Sequence, residues 1–166
     1  MRKNTKPAQF HIREAVEQDF DALCKIFAEG VLLHHTALPD VFRKPDGAVI
    51  DKERVCDLIA SEDAALLAAE RDGEPIGFVC VLAQDAGDIS IMLVRRFAFV
   101  ENLAVTERFR RSGVGRALME AAHRWALSRG LARIELNVWE FNQDAIAFYE
   151  KLGYETASRK MWKKLG

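Results

Sequence analysis

At 166 residues, 49% hydrophobic and 30% charged, the chain is long enough to bury one core, too short for two comfortable ones, and globular rather than disordered in composition. A net charge of −1 with no basic stripe of interleaved aromatics argues against a nucleic-acid partner, and no apolar run nears the ~20 residues that cross a bilayer. Met1 to Lys6 is basic with no apolar segment behind it, so a cytoplasmic protein without membrane contact is expected, one domain over residues 1–166. Cys24, Cys56 and Cys80 are widely spaced and read as buried thiols. His11, His34, His35 and His123 lack metal-ligand spacing, so no metal is expected.

In chain order, Phe10 to Ala15 alternates as a first strand, and Asp19 stands as the N-cap of a helix carrying Phe20, Leu23, Ile26 and Phe27 on one side. His34 to Val49, with Pro39, Pro45 and Gly47, reads as a long loop of the kind that shapes ligand pockets. Between 51 and 74 eight acidic residues stand against three basic ones, which is either a solvated surface or an attractor of cations. Ala65 to Arg71 and Ile76 to Ala83, joined through Asp72-Gly73, predict a hairpin. Residues 84–96 carry no signal beyond a turn at Gly87 and Asp88. Phe97 to Val105 is apolar on both faces except at Glu101 and Asn102, as in a central strand covered on both sides.

Arg110-Arg111-Ser112-Gly113-Val114-Gly115 follows that strand. It opens a helix in which Val114, Ala117, Leu118, Ala121, Ala122 and Trp125 recur at helical spacing, ending near Gly130. The first amides of a helix have no partner within it, and the helix dipole adds partial positive charge. A turn crowded by Arg108, Arg110, Arg111 and Arg116 is therefore a natural place for a phosphate. Eight arginines against three glutamates between 95 and 131 agree, although an ordinary turn with solvated arginines gives the same pattern. A P-loop would need a lysine after its last glycine, and a dinucleotide fingerprint a small residue where Leu118 stands. Ile134, Leu136 and Val138 then alternate with Arg133, Glu135 and Asn137 as a strand. Asn142 N-caps a last helix that Gly153 ends before a final strand.

Arg110-x-x-Gly113-x-Gly115, followed by Asn142-x-x-Ala145-x-x-Phe148-Tyr149-x-Lys151-x-Gly153-Tyr154, resembles the GNAT superfamily of acyl-CoA-dependent N-acyltransferases. The resemblance is strong from about Val100 to Tyr154 and weaker upstream. It implies a single GNAT domain of α/β (α+β) class: one mixed, largely antiparallel sheet with a splayed central strand, flanked by helices. It further implies a homodimeric N-acetyltransferase that moves an acetyl group from acetyl-CoA to a primary amine, on a small molecule or a peptide, by direct attack.

Such a reaction takes a proton from an ammonium, stabilises an oxyanion and protonates a departing thiolate. Tyr149 matches the family position of the acid, and a phenol of pKa about 10 is matched closely enough to a thiol of about 8.5; a core aromatic beside Phe148 would look the same. Glu101, expected on one face with Phe99 and Leu103, is the candidate base or a surface carboxylate beside a bulge. His34 and His35 are the next candidates, on the substrate side. The resemblance assigns the backbone of Leu103, Ala104 and Val105 to pantetheine. It gives the pyrophosphate to Arg110, Arg111, Ser112, Gly113, Val114, Gly115 and Arg116, the cofactor arm to Asn142, and the oxyanion to an amide near Leu103. The rival readings are a silent CoA-binding module without a working base and a transferase of bulkier acyl groups.

Overall fold

The inner strands of this chain have two apolar faces to cover, and the helices divide between them. The computed structural model describes residues 10–47, 49–87, 93 and 96–165. Strands β1 (His11–Glu14), β2 (Ala64–Arg71), β3 (Glu74–Asp85), β4 (Arg96–Val105) and β5 (Ile134–Leu136) form one sheet in that order. The first four are antiparallel neighbours, and β5 lies parallel to β4. Helices α1 (Phe20–Ala37) and α2 (Lys52–Ala60) bury Leu23, Ile26, Val55 and Leu58 against Phe78 and Cys80 on one face. Helix α3 (Val114–Ser128) buries Leu118, Met119 and Ala122 against Val79, Val81 and Val100 on the other. Phe148 and Tyr149 of α4 (Gln143–Lys151) pack at the margin of that second core. The expected mixed, largely antiparallel sheet between helices is the one that forms.

The pairing of β3 with β4 slips by one residue. Cys80 faces Asn102 and Val81 faces Val100, which leaves Glu101 as the extra residue of a bulge. Because side chains alternate, the slip reverses the faces beyond it. Ala98 and Val100 belong to the α3 core, and past the bulge Leu103 and Val105 do, while Ala104 packs toward α1 and α2. Glu101 therefore does not share a face with Leu103. It and Asn102 both open on the α1/α2 side. Strand β5 pairs only with Ala98 to Val100, so residues 101–105 of β4 hydrogen-bond β3 along one edge and have no strand on the other among the described residues. That is the expected splay.

Four local expectations change. Asp19 does not cap α1; its buried carboxylate accepts from Arg13 at 2.6 and 2.8 Å and from the Val16 N–H at 2.9 Å. The guanidinium holds that carboxyl below its ordinary range, and Arg13 also pairs with Glu70. Helix α1 runs to Ala37, which puts His34 and His35 in its last turn rather than in the following loop. Of the three cysteines only Cys80 is buried; Cys24 and Cys56 are half-buried. No strand follows Gly153: residues 154–165 offer no alternating apolar face, and Met161, Trp162 and Leu165 are exposed. The hairpin turn is as expected, with φ of +54° at Asp72 and +83° at Gly73.

Gly77 of β3 lies where β4 and the first turn of α3 converge. A Cβ there would stand 3.0 Å from the Ala104 carbonyl oxygen, 3.1 Å from Val105 Cγ2 and 3.2 Å from Val114 Cγ1. The nearest of these is backbone, which cannot rotate aside. Gly77→Ala is expected to lower unfolding stability by about 1–3 kcal/mol, read from the urea midpoint, despite the lower chain entropy of alanine. An unchanged midpoint would show that β4 and α3 yield freely at this point.

Candidate active site

The N-terminus of α3 is open. Gly113 precedes it at φ +92° with no side chain capping the first turn, and Arg111 also sits in the left-handed region at φ +60°. Gly115 lies against the Phe148 ring, 3.4 Å from where a Cβ would be, so α4 sits close beside the turn. Arg111 and Arg116 are exposed, and no carboxylate pairs with either among the described residues. Arg110 is committed elsewhere. Its Nε donates to the Val105 carbonyl at 3.0 Å, and its guanidinium meets Glu29 of α1 at 3.4 Å. Glu29 also accepts from the Thr106 hydroxyl and the Glu107 N–H, each at 2.7 Å. Arg108 lies over the Phe109 ring, 5.3 Å from its centre, and the Ser112 hydroxyl donates to the Phe109 carbonyl.

Asn142 caps α4 as expected, its side-chain oxygen accepting from the Ala145 N–H at 3.2 Å. Tyr149 is half-buried between Phe148 and Tyr154, with ring centres 5.2 and 5.7 Å away. Burial pushes its phenol up to about 12, so it stays protonated through the neutral range. The Tyr154 hydroxyl lies 2.8 Å from His123 Nε2. Burial raises the Tyr154 phenol, with the neighbouring Tyr149 adding to the shift, and burial lowers the His123 imidazole.

On the opposite face a cavity of about 250 Å³ lies between α1, α2 and the sheet, with Glu101 and Asn102 on its wall. Glu101 accepts from the Arg54 guanidinium at 3.1 and 3.4 Å and from the Cys80 thiol at 3.6 Å. Burial, then the Glu101 charge, pushes that thiol up to about 12, so Cys80 is a neutral donor. His34 and His35 do not line this cavity. Nδ1 of His34 is 2.7 Å from the Gly30 carbonyl, and its ring packs on Phe42 and Phe141 at 5.0 and 5.3 Å. His35 Nδ1 is 2.8 Å from the Phe42 carbonyl, tying the loop to α1.

The fold thus brings the arginine turn, Asn142 and Tyr149 to the α3 side and Glu101 to the other, with the strandless edge of 101–105 at their border. Arg54, Cys80, Glu29 and Gly77 were not legible as site neighbours, because each takes its meaning from a partner distant in sequence. Among the described residues no group of three or more His, Cys, Asp or Glu side chains stands ready to hold a metal, and no helix is long and apolar enough to cross a membrane.

The acetyltransferase (GNAT) family model matches residues 32–154, and the chain belongs to that family. An uncharacterized N-acetyltransferase of Archaeoglobus fulgidus is 32% identical over 140 residues, 83% of this chain and 88% of the relative. An uncharacterized N-acetyltransferase of Methanocaldococcus jannaschii, MJ1207, is 36% identical over 98 residues, 59% of this chain but only 42% of that longer relative. Among solved structures, the tetramutant of the BH1408 protein from Bacillus halodurans superposes with a TM-score of 0.86 at 26% identity, over 93% of this chain and 99% of its own. AAC(6')-Iy, in complex with the bisubstrate analog CoA-S-monomethyl-acetylneamine, has the same fold at a TM-score of 0.67 and 20% identity, over 95% and 99% of the two chains.

The chain has two tyrosines, Tyr149 and Tyr154, and burial raises both phenols. Absorbance titration at the tyrosinate band is therefore expected to show no ionisation in the folded protein below about pH 11, whereas the unfolded chain titrates near pH 10. A folded protein that gains tyrosinate absorbance near pH 10 would mean that water reaches Tyr149.

Proposed function

We propose that the chain transfers an acetyl group from acetyl-CoA to a primary amine by direct attack. One observation carries this reading: an uncapped, arginine-flanked helix N-terminus and a carboxylate-bearing cavity lie on opposite faces of a single strand, at the stretch where one edge of that strand has no partner among the described residues. Open first-turn amides, left-handed backbone at Arg111 and Gly113, and the free arginines Arg111 and Arg116 fit a pyrophosphate. The cosubstrate supplies an activated acetyl thioester. Residues 111–116 hold its phosphates, Arg110 braces the turn from behind, and the Asn142 amide reaches its arm. The free edge of Leu103, Ala104 and Val105 pairs with the pantetheine amides, and an N–H near Leu103 donates to the thioester carbonyl.

Glu101 takes the proton of the acceptor ammonium. The nitrogen lone pair then forms the C–N bond, the C–S bond breaks with its electron pair leaving on sulfur, and the surplus proton on nitrogen passes through water to the thiolate. Tyr149 faces that thiolate with an intact O–H. A phenol held near 12 gives its proton to a thiol of pKa about 8.5 only uphill, so its chief contribution is a hydrogen bond to the developing charge. The family resemblance adds a cytoplasmic homodimer to this reading. The Arg54–Glu101 pair favours a second reading, a CoA-binding module whose base is blocked.

Acetyl-CoA at ~100 times its dissociation constant is expected to add about 2.7 kcal/mol of stability, and hence raise the melting temperature by roughly 5 to 10 °C. Arg111→Ala and Arg116→Ala should each weaken binding by about ten-fold and leave the ligand-free melting temperature in place. A melting temperature indifferent to acetyl-CoA would overturn the cosubstrate assignment.

The chemistry has its own check. Glu101→Gln keeps the shape but accepts no proton, so kcat/KM for an accepted amine should fall about a hundred-fold near pH 7 and recover in part as the free amine becomes neutral at higher pH. Tyr149→Phe should lower kcat by about ten-fold or more at constant acetyl-CoA affinity. If both variants release thiol as fast as the parent, neither residue takes part.

A further inference from the structure

Arg54 is the single cation among the residues that line the Glu101 cavity. Its guanidinium, about half exposed at 48%, meets the Glu101 carboxylate at 3.1 Å, and Glu101 is 35% exposed. The other anion on the wall, Asp51, is turned to the first turn of α2, where its carboxylate accepts from the Glu53 N–H at 3.0 Å. Apart from the Asn102 amide and the Cys80 thiol the rest of the cavity is apolar, with Leu23, Leu66 and Phe78 buried and Phe27 and Ile50 half-buried beneath it. At about 250 Å³ it falls below the ~300–1,000 Å³ of drug-sized ligand pockets and suits a residue-sized molecule.

These features restrict the acceptor by charge. A simple amine competes with Arg54 for Glu101, and where it takes that charge the guanidinium loses its counter-ion. A polyamine meets the same competition, and within this cavity its further ammonium groups find apolar side chains, the carboxylates of Asp57 and Asp63 lying in the adjoining hollow that shares Arg54 and Leu58. A molecule carrying a carboxylate next to its amine exchanges partners one for one. The incoming carboxylate takes Arg54, the ammonium takes Glu101, and no charge is left unpaired. Guanidinium and carboxylate match in a two-pronged geometry that favours this exchange. Release of Glu101 from Arg54 then coincides with arrival of the amine, so the base becomes available when its substrate is in place. A side chain of the same molecule, if apolar, fills the floor.

Building on the transferase reading above, we infer that the acceptor is a small α-amino acid with an apolar side chain, its carboxylate held by Arg54 and its amine by Glu101. The Arg54–Glu101 pair that blocks the base in the empty cavity is, in this account, the recognition element for the substrate.

Thiol release from acetyl-CoA, measured with leucine, with 3-methylbutylamine, which is leucine without its carboxylate, and with spermidine, tests this directly. Leucine is expected to exceed 3-methylbutylamine in kcat/KM by about a hundred-fold, as for a site built to bind a polar group that the analogue lacks. Arg54→Met should collapse that ratio toward one, and Arg54→Lys should keep part of it. The melting temperature of both variants should stay near that of the parent, since a half-exposed ion pair adds little to stability. Equal use of leucine and 3-methylbutylamine, preference for spermidine, or a ratio untouched by Arg54→Met would each overturn the inference and leave acetyl transfer standing. Thiol release with none of the three and with no amine of a wider panel would remove the transferase reading together with it.

Discussion

The slip of one residue between β3 and β4 is the constraint on which the rest of the site depends. An unbroken antiparallel ladder would carry Asn102 into the α3 core and return Leu103 to the α1/α2 side, exchanging an amide for an apolar side chain on each face. With the extra residue at Glu101, Leu103 and Val105 instead complete the α3 core, and two polar side chains in succession open on the cavity. The same position marks where pairing with β5 has just ended, at Val100. A bulge increases local twist, and a strand that bends away from its neighbour cannot keep both ladders. Side-chain direction and backbone exposure thus follow from a single irregularity.

Around this irregularity the two halves are held in register by contacts of different kinds. Gly77 allows β3, β4 and α3 to meet at near-contact distances. Glu29 reaches from α1 to the end of β4, where it receives a hydroxyl, a backbone amide and a guanidinium. That carboxylate performs for the short turn at Glu107–Phe109 the service that an N-cap side chain gives a helix, from a distance of more than seventy residues in sequence. The arginine turn is consequently anchored to the face opposite the one on which α3 packs.

Elements with strong local signals were legible in the sequence. The hairpin at Asp72-Gly73, the stripe along α3, the cap at Asn142 and the central strand each rest on residues within a few positions of one another. What was not legible depends on distant partners. Asp19 reads as a cap until Arg13 and the Val16 amide are seen to claim it. His34 and His35 read as loop residues because the prolines and glycine that follow signal a loop, whereas α1 continues to Ala37 and stops at Leu38, the residue before Pro39. Glu101 was found as the polar interruption of an apolar strand, but its face was not, since register belongs to a pair of strands. Arg54 looked like one more charge on a solvated helix. The final strand expected after Gly153 does not form, because the residues there are too polar to bury a strand face.

The rings of His34, Phe42, Trp139 and Phe141 join the end of α1, the loop after it and the connection from β5 to α4, with successive centres 5.0 to 5.3 Å apart. Tilted and edge-on aromatic contacts of this kind lose little strength in salt, unlike exposed ion pairs. The loop that supplies Ile50 and Asp51 to the cavity is therefore fastened at its start by contacts indifferent to ionic strength and at its end by the cap of α2. A wall held at both ends forfeits little chain entropy when a small molecule settles against it. The shape of the pocket is in that sense prepaid at folding, and selectivity among guests of similar size falls to the charges at its rim.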